Sequence, residues 1–149
     1  MRYAVLALLL AGCARLGSPA EAPPPALLGT FEDDYGIRYE ITEREWIQQP
    51  NARYRIVRWR PEAGYLIAQN DAANPQDGDL WTRIDWVSLT DMAPYTWAFC
   101  LSAYDAPTAA AAEATRVADR STPRTGCNGY PFSRMRPAPA DSTFQDAGY

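Results

Sequence analysis

Histidine and lysine are both absent from this chain of 149 residues. Their absence excludes Ser-His-Asp and Cys-His catalysis, the HExxH zinc site, Schiff-base chemistry and the Walker-type phosphate loop. Carboxylates remain, but the obvious acidic clusters, Glu32-Asp33-Asp34 and Glu43 with Glu45, lie near turns or on polar faces of short strands. We interpret them as solvated surface rather than as an acid/base pair. The sequence therefore favours a protein that is not an enzyme and needs no cofactor or metal ion.

Positive charge is also scarce, since 14 basic residues face 18 acidic ones and the net charge is −4. The only concentration of positive charge is in one stretch, at Arg53, Arg55, Arg58 and Arg60. Guanidinium groups suit anionic ligands, but we favour cross-strand pairs between this stretch and the preceding acidic residues, Glu40, Glu43 and Glu45. Without a basic patch that could neutralise phosphates, nucleic acid is not an expected partner.

The N-terminus lacks a hydrophobic run long enough to span a membrane. Arg2 is followed by a short apolar segment, whereas a spanning helix needs about 20 residues. The segment ends in Leu9-Leu10-Ala11-Gly12-Cys13, which resembles the lipobox of bacterial lipoproteins. This resemblance implies a signal peptide over residues 1–12 and a lipid such as palmitate on Cys13, anchoring an exported protein in the cell envelope. Ala14 after the cysteine implies the outer membrane if the cell has one.

The same resemblance accounts for the odd number of cysteines. With Cys13 acylated, Cys100 and Cys127 remain as a pair, which we predict to form a structural disulfide in an oxidising compartment. A redox or metal-binding pair is the alternative, but C-x-x-C spacing and histidine are lacking. Residues 13–28 contain the run Pro23-Pro24-Pro25 and are predicted to form an extended tether without a fold.

Residues 29–135 are predicted to form a mainly β domain. Apolar and polar residues alternate with period two in several short runs, at residues 37–42, 53–60, 80–89 and 95–101. The adjacent Ile56 and Val57 break this alternation, which indicates a bulge or a change of face. Prolines fall between the runs, as strands require. We expect an antiparallel meander of about six strands that closes fully or partly into a barrel.

The C-terminal third is predicted to contain the one helix, which is rich in alanine. The helix covers residues 109–119, with Asp105 or Thr108 as its N-terminal cap. It lies on the outside of the sheet with an apolar stripe of Ala110, Ala114 and Val117. A turn at residues 125–129 would return Cys127 to the outer face of the sheet. A last short strand is expected within residues 130–135, followed by a disordered tail over residues 136–149.

Aromatic residues are plentiful for a domain of this size. If the barrel is hollow, the candidate ligand-binding residues are Trp59, Tyr65, Trp86, Trp97 and Phe99, whereas in a filled barrel such residues form the core. Trp81 and Trp86 have opposite parity, so one of them must lie outside the core face. Residues 70–79 offer oxygen ligands for calcium, but their spacing fails the EF-hand pattern and their composition is typical of a loop.

Gly29-Thr30-Phe31 at the first strand, the late helix and the late disulfide resemble the lipocalin-like arrangement in outline. Our first hypothesis is a membrane-anchored envelope lipoprotein with a non-catalytic binding or structural β domain, whose partner is an envelope protein or polymer. The alternative is a lipocalin-like carrier of a small hydrophobic ligand. A carboxylate-based hydrolase is the least favoured, because no positioned acid/base pair is identifiable.

Overall fold

The computed structural model describes residues 21–139, in which eight antiparallel strands close into a barrel. Each strand pairs with its neighbours along the chain, and the last strand pairs with the first. The strands are β1 (Gly29–Asp33), β2 (Arg38–Ile41), β3 (Glu45–Gln48), β4 (Ala52–Arg60), β5 (Tyr65–Asn70), β6 (Trp81–Ser88), β7 (Trp97–Ala106) and β8 (Ser133–Pro137). The predicted antiparallel barrel is confirmed, with eight strands rather than about six. Within this part of the chain, no helix has the length and apolar character needed to cross a bilayer.

The strands that were predicted are those in which apolar and polar side chains alternate clearly. The register of β4 and β5 shifts between Ile56 and Arg58, so that Val57 is an extra, exposed residue. This confirms the bulge that the sequence indicated. The strand β3 was not predicted, because it has only four residues and a partly buried Ile47 beside Trp46 hides its alternation.

The two ends of the barrel differ. At one end, here the closed end, a short 3-10 helix (Pro25–Leu27) precedes β1 and buries Leu27 in the barrel core. The other end, here the mouth, carries the β1–β2, β3–β4 and β5–β6 loops and the long connection from β7 to β8. The prediction of an unfolded tether is therefore wrong at residues 25–27, because Leu27 covers the apolar end of the core. Residues 1–20, with Cys13, lie outside the described residues.

The only helix within residues 21–139 longer than one turn, α1 (Ala109–Ala114), lies on the outer face of β5, β6 and β7. Thr108 caps it by accepting a hydrogen bond from the Ala111 amide, as one of the two predicted caps. The helix is shorter than predicted and buries Ala112 instead of the predicted stripe of Ala110, Ala114 and Val117. It ends early because the following chain turns extended and forms a bridge from Ala118 to Cys127.

The predicted disulfide joins Cys100 on the outer face of β7 to Cys127, with Cα atoms 5.5 Å apart. A turn brings Cys127 there, since Asn128 and Gly129 both adopt positive φ. A disulfide is compatible with an exported protein. The predicted disordered tail begins too early, because Arg136 and Pro137 belong to β8, whose pairing with β1 closes the barrel. Residues 140–149 lie outside the described residues.

Candidate ligand site at the barrel mouth

The closed half of the barrel is filled with aromatic rings. Neighbouring rings contact edge to face, with centroids 5.1 to 6.0 Å apart, in a cluster of Phe31, Tyr39, Trp46, Trp97 and Phe99. Trp59 and Trp86 form a second such pair at 5.8 Å. Each edge-to-face pair adds about 0.5–1.5 kcal/mol beyond the burial of its area. Four of the predicted ligand-binding residues, Trp59, Trp86, Trp97 and Phe99, thus contact other core rings.

The fifth predicted ligand-binding residue, Tyr65, does not face the interior. Its ring lies on the outer face of β5, in a separate apolar cluster under α1 with Ile67, Ala103 and Ala112. Tyr65 therefore does not line the barrel interior, because β5 alternates from Leu66, which points inward at 0% exposure. Trp81 packs against this outer cluster while Trp86 lies in the core, which confirms that the two tryptophans occupy opposite faces.

The mouth is open, and its walls mix polar and apolar side chains. Two adjoining pockets of about 380 Å³ and 290 Å³ lie there, and they share Gln48 and Leu101 in their walls. The first is lined further by Tyr54, Asn70 and Tyr104 and by the β5–β6 loop. The second lies between the β1–β2 hairpin and the segment that carries Cys127. The interior therefore changes from a packed apolar layer to an accessible layer whose walls are partly polar and partly apolar.

A bulge in β7 brings Tyr104 to the mouth. Ile84 pairs with Leu101 and Arg83 pairs with Ala103, so Ser102 is an extra residue in the ladder. The extra residue shifts the phase of the strand by one, and Tyr104 therefore joins the inward series to which Leu101 belongs. Tyr104 was not predicted as a site residue, because nothing in the small residues before it marks a bulge.

A buried amide holds one side of the mouth in place. The Asn70 Nδ2 group donates to the backbone carbonyls of Asp77 and Tyr104, each at 2.8 Å. Its Oδ1 accepts a hydrogen bond of 2.5 Å from the Thr82 hydroxyl. Because the Asn70 side chain uses its donors and its acceptor in this way, it connects β5, β6, β7 and the loop after β5.

A buried carboxylate organises the other side. Asp33 Oδ1 accepts from the backbone amides of Tyr35 and Ile37, each at 2.9 Å, and Oδ2 accepts from the Tyr39 hydroxyl at 2.8 Å. Burial first, and then the hydrogen bond to Asp33, raises the pKa of Tyr39. Burial, followed by the charge of Asp77, also raises the pKa of Tyr54. Both phenols therefore stay protonated and can donate hydrogen bonds.

The prediction that the first acidic cluster is solvated is wrong in part. Asp33 is buried, while Glu32 forms ion pairs with Arg38 and Arg136, and Asp34 with Arg134. Within residues 21–139, no group of three or more His, Cys, Asp or Glu side chains is placed to hold a metal ion. The stretch after Asn70 is a loop, whose Asn74 side chain exchanges hydrogen bonds with the backbone of Arg53.

An unpredicted polar network lies outside the barrel. Arg83 forms a bidentate pair with Asp85 at 2.7 and 2.9 Å, and Ser102 donates to the same carboxylate at 2.6 Å. The Arg83 guanidinium also lies 3.8 Å from the Tyr65 ring centroid and donates to the Glu113 carbonyl. The sequence contained one indication of this network: Arg83 and Asp85 are two residues apart and share a strand face with Trp81. This network holds α1 on the barrel.

The arginine stretch joins this network through different partners from those predicted. Arg58 and Arg60 form ion pairs with Glu113 of α1, and Arg60 also pairs with Glu21 at 3.2 Å. Burial alone would raise the pKa of Glu113, but the Tyr65 hydroxyl and the two arginines outweigh it and lower that pKa. The N-terminal end of the described chain is therefore held against the closed end of the barrel.

Comparisons with protein-family models, with curated proteins and with solved structures find no match for this chain. Its function therefore has to follow from the chemistry of its own site. The mouth offers amides, phenols and two small pockets, and no arginine lines either pocket.

Proposed function

We propose that the protein is a membrane-anchored lipoprotein of the cell envelope whose barrel is a non-catalytic binding domain with its ligand site at the mouth. The observation that carries this proposal is the division of the interior. Aromatic rings fill the half near the chain's entry, while two pockets with mixed polar and apolar walls lie open at the opposite end. A barrel with one open end can receive a ligand from the side away from its anchor.

The position of the N-terminal segment supports this orientation. Glu21 pairs with Arg60 at the closed end, and Leu27 enters the core there. A lipid on Cys13 would be eight residues before Glu21 along the chain. Such a short connection would keep the closed end towards the membrane and the mouth towards the envelope space.

The chemistry of the mouth favours binding rather than catalysis. A general acid or base needs a pKa near the working pH, whereas the phenols of Tyr39 and Tyr54 have raised pKa values. The buried carboxylate, Asp33, is already engaged by three hydrogen bonds. The absence of histidine and lysine from the sequence removes the other common proton-transfer groups.

A lipocalin-like carrier is the second candidate, because a barrel is compatible with such a domain. It is less favoured because an apolar ligand would have to displace packed rings such as Trp97, which is 3% exposed. Loss of that packing would cost several kcal/mol.

The anchor is tested with the full-length chain and a Cys13→Ser variant expressed in a bacterial cell with two membranes. We expect the wild-type chain to incorporate labelled palmitate and to enter the detergent phase, whereas the variant does neither. A Cys127→Ser variant controls for thiol labelling elsewhere and should keep the lipid. A wild-type chain that stays in the aqueous phase without label would contradict the proposal.

A further inference from the structure

We propose that the mouth binds an uncharged, hydroxyl-rich ligand, namely a saccharide of one or two rings. This inference rests on the proposed function, since it names the ligand class of the same site. Four properties of the mouth carry it: its charge, its free hydrogen-bonding groups, its exposed rings and its size.

The charge of the mouth favours uncharged ligands over anions. Neither pocket is lined by arginine, and the chain contains no lysine, so phosphate, sulfate or carboxylate groups would find no cation there. The Asp33 carboxylate is occupied by the hairpin amides and by Tyr39. Asp77, on the loop, is the one remaining carboxylate of the two linings. An uncharged ligand fits this environment better than an anion.

The free hydrogen-bonding groups match hydroxyls. Among residues 21–139, the side chains of Gln48, Asn51, Tyr54 and Gln76 line the mouth and have no hydrogen-bond partner. Primary amides offer donors and acceptors together, and a protonated phenol donates and accepts. A hydroxyl group also does both, so neighbouring sugar hydroxyls can use such groups in either direction. Gln48 is half-buried at the boundary of both pockets, where it can contact either ring of a disaccharide.

The exposed rings offer flat apolar surfaces beside these polar groups. Tyr104 lines the first pocket and is 54% exposed, and Tyr35 lines the second and is 75% exposed. A pyranose ring has one face rich in C–H groups, which packs against an aromatic face while the ring hydroxyls remain free for hydrogen bonds. The bulge at Ser102 places the Tyr104 ring at this point of the mouth.

The size of the site fits a small ligand. Small-molecule sites have volumes of about 300–1,000 Å³. The first pocket, of about 380 Å³, lies near the lower end of that range, and the second, of about 290 Å³, lies just below it. Beneath them, Tyr39 and Phe99 close the interior with rings 5.6 Å apart. A fatty acyl chain therefore has no channel below the mouth, whereas one or two sugar rings need none.

The test is isothermal titration of the full-length protein in detergent micelles with N,N′-diacetylchitobiose and with maltose, both uncharged disaccharides. The variants are Tyr104→Ala and Gln48→Ala, and the matched control is Tyr130→Ala, a tyrosine that is 72% exposed and lines neither mouth pocket. Near-ultraviolet circular dichroism checks that each variant is folded. Sialyllactose as an acidic saccharide and oleate as an apolar ligand complete the set of probes.

We expect at least one uncharged disaccharide to bind, with affinity weakened about tenfold or more by each mouth variant and unchanged by Tyr130→Ala. Binding that is insensitive to Tyr104→Ala and Gln48→Ala would overturn the site. No disaccharide binding, or tighter binding of sialyllactose or oleate, would overturn the ligand class. Palmitate labelling of the same preparation separates the two proposals, because an acylated protein without saccharide binding refutes only this inference.

Discussion

Replacement of Arg83 by methionine tests the polar network outside the barrel. The Arg83 and Asp85 side chains are 7% and 5% exposed, and their two hydrogen bonds are 2.7 and 2.9 Å long. In Arg83→Met the Asp85 carboxylate stays buried with only the Ser102 hydroxyl as a partner. The variant also loses the contact with the Tyr65 ring and the hydrogen bond to the Glu113 carbonyl.

A buried ion pair that loses one partner typically costs 3–5 kcal/mol, because the remaining charge is desolvated and unpaired. We expect Arg83→Met to lower the free energy of unfolding by about that amount. At about 4 °C per kcal/mol for a domain of this size, Tm should fall by about 12–20 °C. Replacing both partners, in Arg83→Met with Asp85→Leu, should restore most of the loss, because no buried charge is then left.

The assay is urea denaturation of the disulfide-intact protein, followed by tryptophan fluorescence. The matched control is Arg134→Met, which breaks a more exposed pair with Asp34 whose arginine side chain is 43% exposed. An exposed pair contributes at most about 1 kcal/mol. If Arg83→Met costs no more than Arg134→Met, or if the double variant is less stable than the single one, the network does not have the role described here.

Three further predictions follow from the disulfide and the perturbed side chains. Replacing Cys100 and Cys127 by alanine should lower the free energy of unfolding by about 3–4 kcal/mol in urea denaturation, since the bond closes a separation of 27 residues; an unchanged midpoint would contradict this. The pKa of Glu113 in the folded protein is lowered from 4.5, so the contribution of Glu113 to folding stability is complete above pH 4.5 and is lost as the pH falls through its folded-state pKa. Glu113→Gln should therefore reduce the slope of the unfolding free energy against pH in that acid range. The phenols of Tyr39 and Tyr54 have pKa values raised from 10.0, so the free energy of unfolding should fall as the pH rises above 10. The 295 nm absorbance of these two phenols should increase only on unfolding. Ionisation of every tyrosine near pH 10 in the folded protein would refute this prediction.

The barrel itself was predictable because period-two alternation is a local property of the chain. The two adjacent apolar residues Ile56 and Val57, which interrupt the alternation, even indicated the bulge in β4. In contrast, the bulge at Ser102 depends on which residues of β6 oppose β7, and that register is decided by contacts between distant strands. The inward position of Tyr104 could therefore not be predicted from the sequence alone.

The same limit applies to the partners of charged residues. The arginines of β4 were expected to pair with neighbouring strands, but Arg58 and Arg60 pair with Glu113. That partner lies more than 50 residues further along the chain, on a helix whose docking depends on the apolar cluster around Ala112. The buried Asp33 was also missed, because its role is to satisfy the amides of the β1–β2 turn. The sequence shows that a carboxylate is present, but it does not show which hydrogen-bond donors the fold places beside it.

The most direct test of a filled barrel is native mass spectrometry of the full-length protein purified from its own cells. We expect the barrel to retain no apolar molecule, because Trp46, Trp97 and Phe99 fill its closed half. The expected spectrum shows the acylated chain with its disulfide and no additional hydrophobic mass. A retained apolar mass that quenches tryptophan fluorescence when added back would contradict the account, and would place the ligand inside the barrel instead of at its mouth.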